Sequence, residues 1–587
     1  MLSDELKLLP APESLKLFSG EFVLDLPVRI EGEPSFPGIA EAVLGKECVP
    51  GSGGIRFRTD PAFADEAYSL MVARDGVSVV ARDLRGGRWA LCTLAQIMER
   101  CGTRLPCLEI RDAPKFKVRG AMLDVTRGRV WTLDHLKDTI RKLASWKMNL
   151  VQLYFEHAFA SKGNEEVWKD SSPVTPEEMR ELDAFAADLG VELCACQNSF
   201  GHLTLFLLHD RYRPLAEIQP GMNFDSWGRL SGIPQSLAPD DPKALDFVRN
   251  LYESLLPNYS SKWINIGCDE TLDLGFGRSR RKAAEIGLEN VFAGFVSKLC
   301  AIVREMGRRP MMWADMPLRY PEIIEKLPPD LIYLLWGYDS NTPFAEWCGI
   351  LKKTNREYWV CPGTCNWSSF LGDSTRRREN LKIAASAGIA GGASGYLVTD
   401  WGDGGHRQCW GPSLLGLAEA AHRAWSGLAP YSPDAAGLRA FGSERAAWWF
   451  EAAGDVDLSI KKAGIPGLYA DFHLPWHQLD ARATPAQAVY FRLARNAVRT
   501  LRDDIPADAP ELLKREMKFA ADFAGLAAER AVLRRESRVA ELKELGRKMR
   551  PLIREFRELW LERSRPGGLD ASAGKWEAAA DELERIY

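Results

Sequence analysis

Short apolar runs recur through the middle of the chain, between about residues 118 and 400, and helix-period segments separate them. Because these runs are apolar at nearly every position, they are typical of parallel strands buried on both faces under helices. Eight alternating units of this kind predict an α/β fold, a (β/α)8 TIM barrel with its functional residues at the carboxyl ends of the strands. The predicted strands are 119–125, 149–155, 191–197, 263–268, 309–314, 331–336, 357–362 and 393–400.

Helix boundaries between these strands are readable from local signals. The stretch Thr175-Pro176-Glu177-Glu178 combines an N-cap residue, a first-turn proline and a capping-box glutamate, and Gly190 is the stop signal. Segment 199–240, after the third strand, is long and rich in glycine, proline and aromatic residues. An insertion after a barrel strand is where substrate loops usually lie, so we expect this segment to border the site.

We place the barrel domain at residues 116–428 and predict one further domain on each side of it along the chain. Residues 1–115 are predicted as a small α+β domain, with strands at 68–72 and 77–80 and a helix over 89–98. Residues 429–587 are predicted as an all-helical C-terminal domain for packing, or for a homodimer through its helices. The turn at 563–568 carries two arginines, and a contact with a neighbouring subunit's pocket is one hypothesis for it.

Composition narrows the classes of partner. The chain has 587 residues, 46% of them apolar, and a net charge of −4, so nothing favours a nucleic-acid partner. No run approaches the roughly 18 apolar residues that a membrane span needs, and the first residues do not resemble a signal peptide. The 12 cysteines include no C-x-x-C pair. Buried free thiols in a reducing compartment are expected, which predicts a cytoplasmic location.

The candidate chemistry is a pair of neighbouring carboxylates, Asp269 and Glu270, directly after the fourth predicted strand. Where the chain leaves the strand, both side chains are able to turn toward the barrel axis. Ordinary glycosidases take their two carboxyl groups from separate strands, about 5–5.5 Å or 6.5–9.5 Å apart. Adjacent carboxylates suit another division of labour, in which one protonates the leaving oxygen and the other holds a substrate group that acts as nucleophile.

Aromatic residues at the strand ends favour a sugar substrate. Trp313, Trp336 and Trp401 fall at or just past predicted strand ends, and Trp367 lies in the loop after the seventh strand. Four tryptophans at one rim predict a small pocket that stacks on a pyranose ring. Charged residues suited to hydroxyl groups accompany them, and we select Arg119 and Asp403 as candidates for charge-assisted hydrogen bonds.

Several motifs together resemble those of the family 20 glycoside hydrolases, the β-N-acetylhexosaminidases. The resemblance covers roughly residues 1–425, and the helical tail indicates a divergent intracellular bacterial-type subgroup. The motifs are Arg119-Gly120 followed by Leu123-Asp124-Val125-Thr126-Arg127, Lys147-Met148-Asn149, Ile266-Gly267-Cys268-Asp269-Glu270 and Trp401-Gly402-Asp403.

This resemblance implies a role for each matched residue. Glu270 would be the general acid and then the base that activates water, while Asp269 would orient the 2-acetamido group as its oxygen attacks the anomeric carbon. The reaction would then pass through an oxazolinium intermediate and retain the configuration of the anomeric carbon. It would need no metal ion and no organic cofactor. Arg119 would bind the hydroxyls at C3 and C4, Asp403 those at C4 and C6, and the strand-end tryptophans would enclose the acetamido group. His202, in a Gly-His motif, would brace the site.

The chain also departs from the family pattern. The strand-seven tyrosine that binds the acetamido oxygen in many relatives has no counterpart in the stretch 361–367, and the second strand ends in Glu156 and His157 instead of aspartates. The preference among GlcNAc, GalNAc and glucosamine therefore stays open. The strand-end residues added to the predicted substrate-binding set are Glu156, His157, Asn198, Asn366 and Trp367.

Two other functions are considered. The first is a retaining glycosidase with a direct carboxylate nucleophile, for which Glu156 is the candidate, acting on sugars that lack an acetamido group. The second is a sugar-binding barrel without turnover. The presence of both Asp269 and Glu270 disfavours the second, because binding alone needs no acid of raised pKa.

Overall fold

The N-terminal region is a seven-stranded mixed sheet covered by two helices. The computed structural model describes residues 3–219, 224–226, 229–474 and 484–585. Its strands, numbered along the chain, lie side by side in the order β1-β7-β5-β6-β4-β2-β3, and the predicted runs at 68–72 and 77–80 are the antiparallel pair β5 and β6. The elements are β1 Ser14–Val23, β2 Val28–Glu31, α1 Phe36–Leu44, β3 Cys48–Pro50, β4 Ile55–Thr59, β5 Tyr68–Ala73, β6 Gly76–Ala81, α2 Leu84–Cys101 and β7 Arg104–Asp112.

Helix α2 shows how the sequence builds this region. Its N-cap is Asp83, whose carboxylate accepts a hydrogen bond from the backbone N–H of Gly86 at 2.9 Å. The helix buries one apolar face against the sheet, with Trp89 and Leu94 almost fully buried. Trp425, from a barrel helix, belongs to the same core. The N-terminal sheet therefore packs directly on the barrel.

Eight parallel strands close into a barrel, which confirms the predicted (β/α)8 fold. Each predicted apolar run overlaps one of the strands, which are hydrogen-bonded in the closed order β10-β13-β14-β15-β16-β17-β8-β9. The strands are β8 Val118–Asp124, β9 Leu150–Phe155, β10 Glu192–Gln197, β13 Trp263–Asn265, β14 Arg309–Trp313, β15 Ile332–Trp336, β16 Tyr358–Cys361 and β17 Gly395–Asp400.

Helices and loops surround the barrel. Helix α5 has the predicted capping box, with the side chain of Thr175 and that of Glu178 each accepting the other residue's backbone N–H. Part of the predicted insertion 199–240 lies outside the described residues; the rest includes a short hairpin, β11 Phe224–Ser226 and β12 Arg229–Ser231. The helices are α3 Leu133–Ser145, α4 Glu165–Trp168, α5 Pro176–Asp188, α6 Thr204–Leu207, α7 Pro242–Leu255, α8 Arg280–Ile286, α9 Leu288–Glu305, α10 Asp315–Arg319, α11 Phe344–Lys353, α12 Ser374–Gly391 and α13 Trp410–Ser426.

The barrel interior is a packed core. Strands β8, β9 and β17 are buried at every position, as expected of parallel strands between a lumen and a layer of helices. Side chains of alternate residues fill the lumen, including Met122, Tyr154, Cys196 and Leu334. Because the lumen is filled, only the rims of the barrel are open to a ligand, and the carboxyl-end rim is where the loops gather.

The C-terminal region is helical, as expected, and packs on the barrel of its own chain. Arg565 pairs with Glu178 of helix α5 at 2.9 Å and donates to the backbone oxygen of Pro173 at 2.8 Å. Both arginines of the turn are therefore engaged by their own chain, Arg563 with Glu516 and Arg565 with Glu178, and a contact with a neighbouring subunit stays a prediction. The helices are α14 Pro433–Phe441, α15 Glu444–Gly454, α16 Leu458–Lys462, α17 Leu468–His473, α18 Ala488–Asp503, α19 Glu511–Arg535, α20 Leu542–Arg563 and α21 Leu569–Arg585.

All 12 cysteines are free, ten of them buried, which confirms the expectation of unpaired thiols. Within the described ranges, no single helix has both the length and the apolar composition to cross a bilayer. Helices α8 and α9 meet that criterion only when they are counted together across a bend of 108°.

The turn before α21 gives a stability prediction. Gly568 has a left-handed φ of 78°, and a Cβ there would lie 1.7 Å from the backbone oxygen of Gly128 in the loop after β8. Gly568→Ala is expected to lower the free energy of unfolding by at least about 2 kcal/mol, since the left-handed backbone alone costs about 1–2 kcal/mol. Denaturant titration followed by circular dichroism measures this loss.

Gly574→Ala is the matched control, because a Cβ at residue 574 meets nothing within 4 Å. Gly574 lies inside α21, where alanine is favoured over glycine by about 0.5–1 kcal/mol. Equal midpoints for the two variants would show that the turn does not pack against the loop after β8 as described.

Candidate active site

Asp269 and Glu270 lie beyond the end of β13, which stops at Asn265. The backbone is left-handed at Gly267, Cys268 and Glu270, with φ of 70°, 71° and 45°. This irregular course breaks the strict alternation of a strand, so that neighbouring side chains are able to face one space. A Cβ at residue 267 would lie 1.7 Å from Asn198 Oδ1, so only glycine fits where the chain leaves the strand.

Both carboxylates approach the same imidazole. Nε2 of His202 lies 3.2 Å from Asp269 Oδ2 and 3.5 Å from Glu270 Oε2. His202 reaches them from the loop after β10, where Gly201 is so close that a Cβ on it would lie 2.5 Å from the backbone oxygen of Asp269. The two acids are therefore side by side at one rim of the barrel, with one basic residue between them.

Asp269 and Glu270 differ in their exposure to solvent and in the charges around them. Burial alone would lower the pKa of His202, but the Asp269 carboxylate outweighs it and raises the pKa to about 9. Burial also raises the pKa of Glu270; the His202 cation opposes that shift and the Asp269 anion adds to it. The Glu270 side chain is 46% exposed, whereas that of Asp269 is 8% exposed. Glu270 thus has the properties of a solvent-reachable acid, and Asp269 those of a fixed, buried anion.

Arg127 is a guanidinium cation at this rim, beside His202. Sequence reasoning did not select it as a site residue. Its Nε donates to Glu156 Oε1 at 3.2 Å, and its Nη1 pairs with Asp403 Oδ1. The guanidinium lies over the Trp401 ring, 4.8 Å from the ring centroid. Arg127 follows the carboxyl end of β8 by three residues, and that position was the signal that would have identified it.

The prediction for Arg119 is wrong. Arg119 is the second residue of β8, at the amino end of the strand and roughly 16 Å from its carboxyl end at about 3.3 Å per residue. Its side chain is fully buried, pairs with Glu66 Oε2 at 2.5 Å and donates to the backbone oxygen of Lys147 at 2.8 Å. Arg119 joins the N-terminal sheet to the bottom of the barrel, so it does not bind a ligand at the top.

The four predicted tryptophans form one connected aromatic wall. The ring centroids of Trp313 and Trp401 are 5.8 Å apart. Tyr338, which sequence reasoning missed, links the remainder: its ring lies 5.5 Å from that of Trp336 and 4.9 Å from that of Trp367. Trp401 Nε1 donates to the Tyr338 hydroxyl at 2.7 Å. The wall therefore ends in a phenol whose hydroxyl is engaged by Trp401 and by the Thr399 side chain.

The remaining predicted residues divide into two groups. Glu156 and Asn198 belong to the rim, because Tyr154 donates to Glu156 Oε1 at 2.9 Å and accepts from Asn198 Nδ2 at 2.6 Å. His157 instead lies beside Thr126, with 3.2 Å between Nδ1 and the hydroxyl. Burial lowers the pKa of His157, which keeps this imidazole neutral.

Asn366 has a structural role instead of the predicted substrate contact. It is fully buried, and its Nδ2 donates to the backbone oxygen of Cys409 at 2.7 Å and to Ser413 Oγ at 2.8 Å. Because an amide nitrogen has two hydrogens, neither is left for a ligand. Asn366 therefore ties the loop after β16 to helix α13.

Asp124 connects the loops that carry Arg127 and Asp403. Its Oδ1 accepts the backbone N–H of Thr126 at 3.0 Å and that of Arg127 at 3.2 Å, and its Oδ2 accepts that of Gly402 at 2.9 Å. Burial alone would raise the pKa of Asp124, but the neighbouring His406 and these hydrogen bonds lower it to about 2. The ionised carboxylate thus fixes the ends of β8 and β17 relative to each other.

No group of three or more His, Cys, Asp or Glu side chains in the described part of the chain is arranged to hold a metal ion.

The fold and the site together define a class, a (β/α)8 domain of the glycoside hydrolase type. The chain matches the model of the glycosyl hydrolase family 20 catalytic domain over residues 116–348 and that of glycosyl hydrolase family 20 domain 2 over residues 5–113. These two segments cover more than half of the chain, which belongs to glycosyl hydrolase family 20.

Individual relatives share less than a third of their aligned residues with this chain. A β-hexosaminidase of Vibrio furnissii is 28% identical over 310 residues, which are 46% of this chain and 49% of the relative. A β-N-acetylhexosaminidase of Cellulomonas fimi is 24% identical over 393 residues, 60% of this chain and 74% of the relative. The aligned part of this chain thus spans about half the length of the Vibrio furnissii protein.

Solved structures share the architecture. Flavobacterium johnsoniae chitobiase superimposes with a TM-score of 0.63 at 18% identity, over 93% of this chain and 96% of that one. The exo β-N-acetylglucosaminidase of Vibrio harveyi, in complex with N-acetylglucosamine, gives a TM-score of 0.62 at 16% identity, over 77% of this chain and 78% of that one. At these identities the likeness establishes the fold alone.

Proposed function

We propose that this chain is an exo-acting β-N-acetylhexosaminidase, which removes terminal β-linked GlcNAc or GalNAc with retention through substrate-assisted catalysis. One observation carries the proposal: a buried carboxylate and a half-exposed one of raised pKa stand side by side in front of a wall of indole rings. The family 20 relatives named β-hexosaminidase or β-N-acetylhexosaminidase support the substrate class.

Glu270 is the acid and base of the proposed reaction. Its raised pKa favours the protonated form, which donates a proton to the glycosidic oxygen as the bond to the anomeric carbon breaks. The acetamido oxygen attacks that carbon at the same time and closes an oxazolinium ring. Ionised Glu270 then removes a proton from water, which opens the ring from the opposite face and restores the starting configuration.

Asp269 is proposed to hold the acetamido group. Its Oδ1 is buried and has no hydrogen-bond partner among the described residues, which leaves an acceptor for the substrate amide N–H. Positive charge develops on that nitrogen as the oxazolinium forms, and an ionised carboxylate stabilises it. The Tyr338 hydroxyl, which accepts from Trp401 and lies beside the Thr399 side chain, is proposed to turn its own proton to the acetamido oxygen when substrate binds. Tyr338 would then take the place of the tyrosine that relatives carry after the seventh strand.

Arg127, rather than Arg119, is proposed to bind the hydroxyls at C3 and C4. Its guanidinium is held from two sides by Glu156 and Asp403, and its position is set further by the Trp401 ring. The Asp403 side chain is 45% exposed, so its carboxylate is open to the hydroxyls at C4 and C6. A rigid guanidinium between carboxylates presents its remaining N–H groups in a fixed direction, which suits recognition of neighbouring hydroxyls.

The direct-nucleophile alternative is less well supported. Glu156 is its candidate nucleophile, but Glu156 Oε1 accepts hydrogen bonds from both Arg127 and Tyr154. Two donors on one carboxylate draw charge away from it, which makes it a weaker nucleophile. A sugar-binding barrel without turnover would not need the half-exposed acid Glu270.

A substrate panel tests the proposed function. The purified chain is assayed with p-nitrophenyl β-GlcNAc, β-GalNAc and β-glucoside, with and without a thiazoline analogue of the oxazolinium ring. We expect turnover of the two N-acetylated sugars, inhibition by the thiazoline, and rates on the glucoside at least about 10³-fold lower. Equal cleavage of all three sugars without thiazoline inhibition would establish the direct-nucleophile mechanism instead.

Three statements about the whole protein stay predictions from the sequence. The domain boundaries at residues 115 and 428 are one, and the homodimer through the C-terminal helices is another. A cytoplasmic location is the third, supported by 12 unpaired cysteines, since free thiols persist in reducing compartments.

A further inference from the structure

Asp315 is a third carboxylate beside the catalytic pair, and the chemistry proposed so far does not use it. It follows β14 and is the first residue of α10. Its Oδ2 accepts the backbone N–H of Glu270 at 3.1 Å. Its Oδ1 is buried and lacks a hydrogen-bond partner among the described residues. A carboxylate in such a place is unfavourable for folding, because burial without full hydrogen bonding destabilises an anion. A role in the reaction would account for its presence there.

Its partner, the peptide group of Glu270, lies in an unfavourable conformation. Glu270 has a φ of 45°, in the left-handed region that non-glycine residues rarely adopt. Such a backbone persists when surrounding contacts hold it, and these cluster at functional sites. Two side chains supply those contacts, one on each side of the residue: Asp315 accepts the N–H, and Gln235 Nε2 donates to the backbone oxygen at 2.8 Å.

The direction of the Glu270 side chain depends on this backbone conformation. A relaxed right-handed φ would rotate the Cα–Cβ bond and carry the carboxyl group away from its place 3.5 Å from His202 Nε2. Proton transfer to a leaving oxygen requires the acid within hydrogen-bond reach, so such a rotation would remove acid catalysis while leaving the sugar pocket intact.

The charges around Asp315 agree with this placement. Burial raises the pKa of Asp315 to about 7, and repulsion by the Asp269 carboxylate adds to the shift. The Asp315 carboxyl group is thus repelled by both members of the pair, and the Glu270 N–H that it accepts carries no positive charge.

We propose that Asp315 is a positioning residue for the reaction: by accepting the N–H of Glu270 it holds the left-handed backbone that aims the acid at the leaving oxygen. This inference rests on the proposed function, because it assigns Asp315 to the acid step of that reaction. Gln235 acts with it from the other side of the same residue.

The test compares two substrates that share the GlcNAc unit to be transferred and differ widely in how much acid help the leaving group needs. Chitobiose has a poor leaving group, whereas 2,4-dinitrophenyl β-GlcNAc has a leaving group that departs with little protonation. Asp315→Ala is expected to lower kcat/KM for chitobiose about 10²-fold and that for the dinitrophenyl substrate less than about fivefold. A purely structural defect would lower both values by the same factor.

Two further variants keep the test decisive if Asp315→Ala folds poorly. Asp315→Asn retains an oxygen that accepts the Glu270 N–H, so it is expected to restore kcat/KM for chitobiose to within about tenfold of the wild type. Gln235→Ala removes the side-chain contact on the other side, where the backbone N–H of Leu272 still donates to the same oxygen at 2.7 Å, so it should produce the leaving-group dependence of Asp315→Ala at a smaller size. Asp240→Ala, in a surface ion pair with Lys282, is the matched control for loss of a carboxylate.

Glu270→Gln separates this inference from the proposed function. If Glu270→Gln shows the leaving-group dependence and the Asp315 and Gln235 variants lose both activities equally, the positioning role is overturned while the acid role of Glu270 stands. If Glu270→Gln itself affects both substrates equally, the proposed function fails.

Discussion

Glu270→Gln is expected to reduce kcat for chitobiose by about 10²–10⁴-fold, the range that general acid–base catalysis contributes. Glutamine has the shape of a protonated glutamic acid but no acidic proton, so the glycosidic oxygen leaves unprotonated. The Glu270 side chain is 46% exposed at the rim, and its replacement removes no buried packing. Steady-state kinetics measure the loss, and calorimetric titration with the thiazoline analogue should show a Kd within a few-fold of the wild-type value.

The control for this variant is Glu285→Gln, which replaces an exposed glutamate paired with Arg281 on helix α8. It should leave both kcat and KM unchanged. A Glu270→Gln variant with wild-type turnover of chitobiose would exclude Glu270 as the acid.

Asp269→Asn is expected to be nearly as damaging, with kcat reduced about 10²–10³-fold on N-acetylated substrates, as for the loss of one electrostatic stabiliser in a dry site. The amide carries no charge to offset the developing oxazolinium. The loss should appear with the activated dinitrophenyl leaving group as well as with chitobiose, because Asp269 acts on the attacking group. This distinguishes it from Glu270→Gln, whose effect depends on the leaving group.

A spectroscopic readout accompanies the kinetic one. The Asp269 carboxylate is what raises the pKa of His202 to about 9 against the effect of burial. Removing that anion favours the neutral imidazole, so the NMR titration of His202 in Asp269→Asn should move to lower pH. Wild-type rates in this variant would mean that the substrate's amide takes no part in the reaction, and an unshifted titration would mean that the two side chains are not in contact.

Much of the fold followed from local pattern. The eight apolar runs became eight barrel strands because continuous burial on both faces leaves few other arrangements for such short segments. The capping box at Thr175 and the strands at 68–72 and 77–80 formed as expected, since both features depend on residues close in sequence. The pairing of Asp269 with Glu270 needed only their adjacency and the end of a strand.

Other residues of the site could not be predicted from local sequence patterns. Tyr338 and Asp315 gain their roles from contacts with Trp401 and Glu270, which are 63 and 45 residues away along the chain. No local pattern distinguishes a tyrosine that completes an aromatic wall from one that packs in a core. The Arg119 error was of a different kind, because the direction of the strand alone places Arg119 at the closed end and Arg127 at the open one.

By itself, the sequence determined which segments are strands, where each strand ends, and therefore which acids and indole rings meet at one rim. Burial and strand direction are properties of short segments, and the pattern of apolar residues specifies them. Only the tertiary structure decided which arginine faces that rim, which phenol joins the tryptophans, and which third carboxylate holds the backbone of Glu270. Those choices depend on the distances between strand ends brought together by closure of the barrel, and closure is a property of the whole chain.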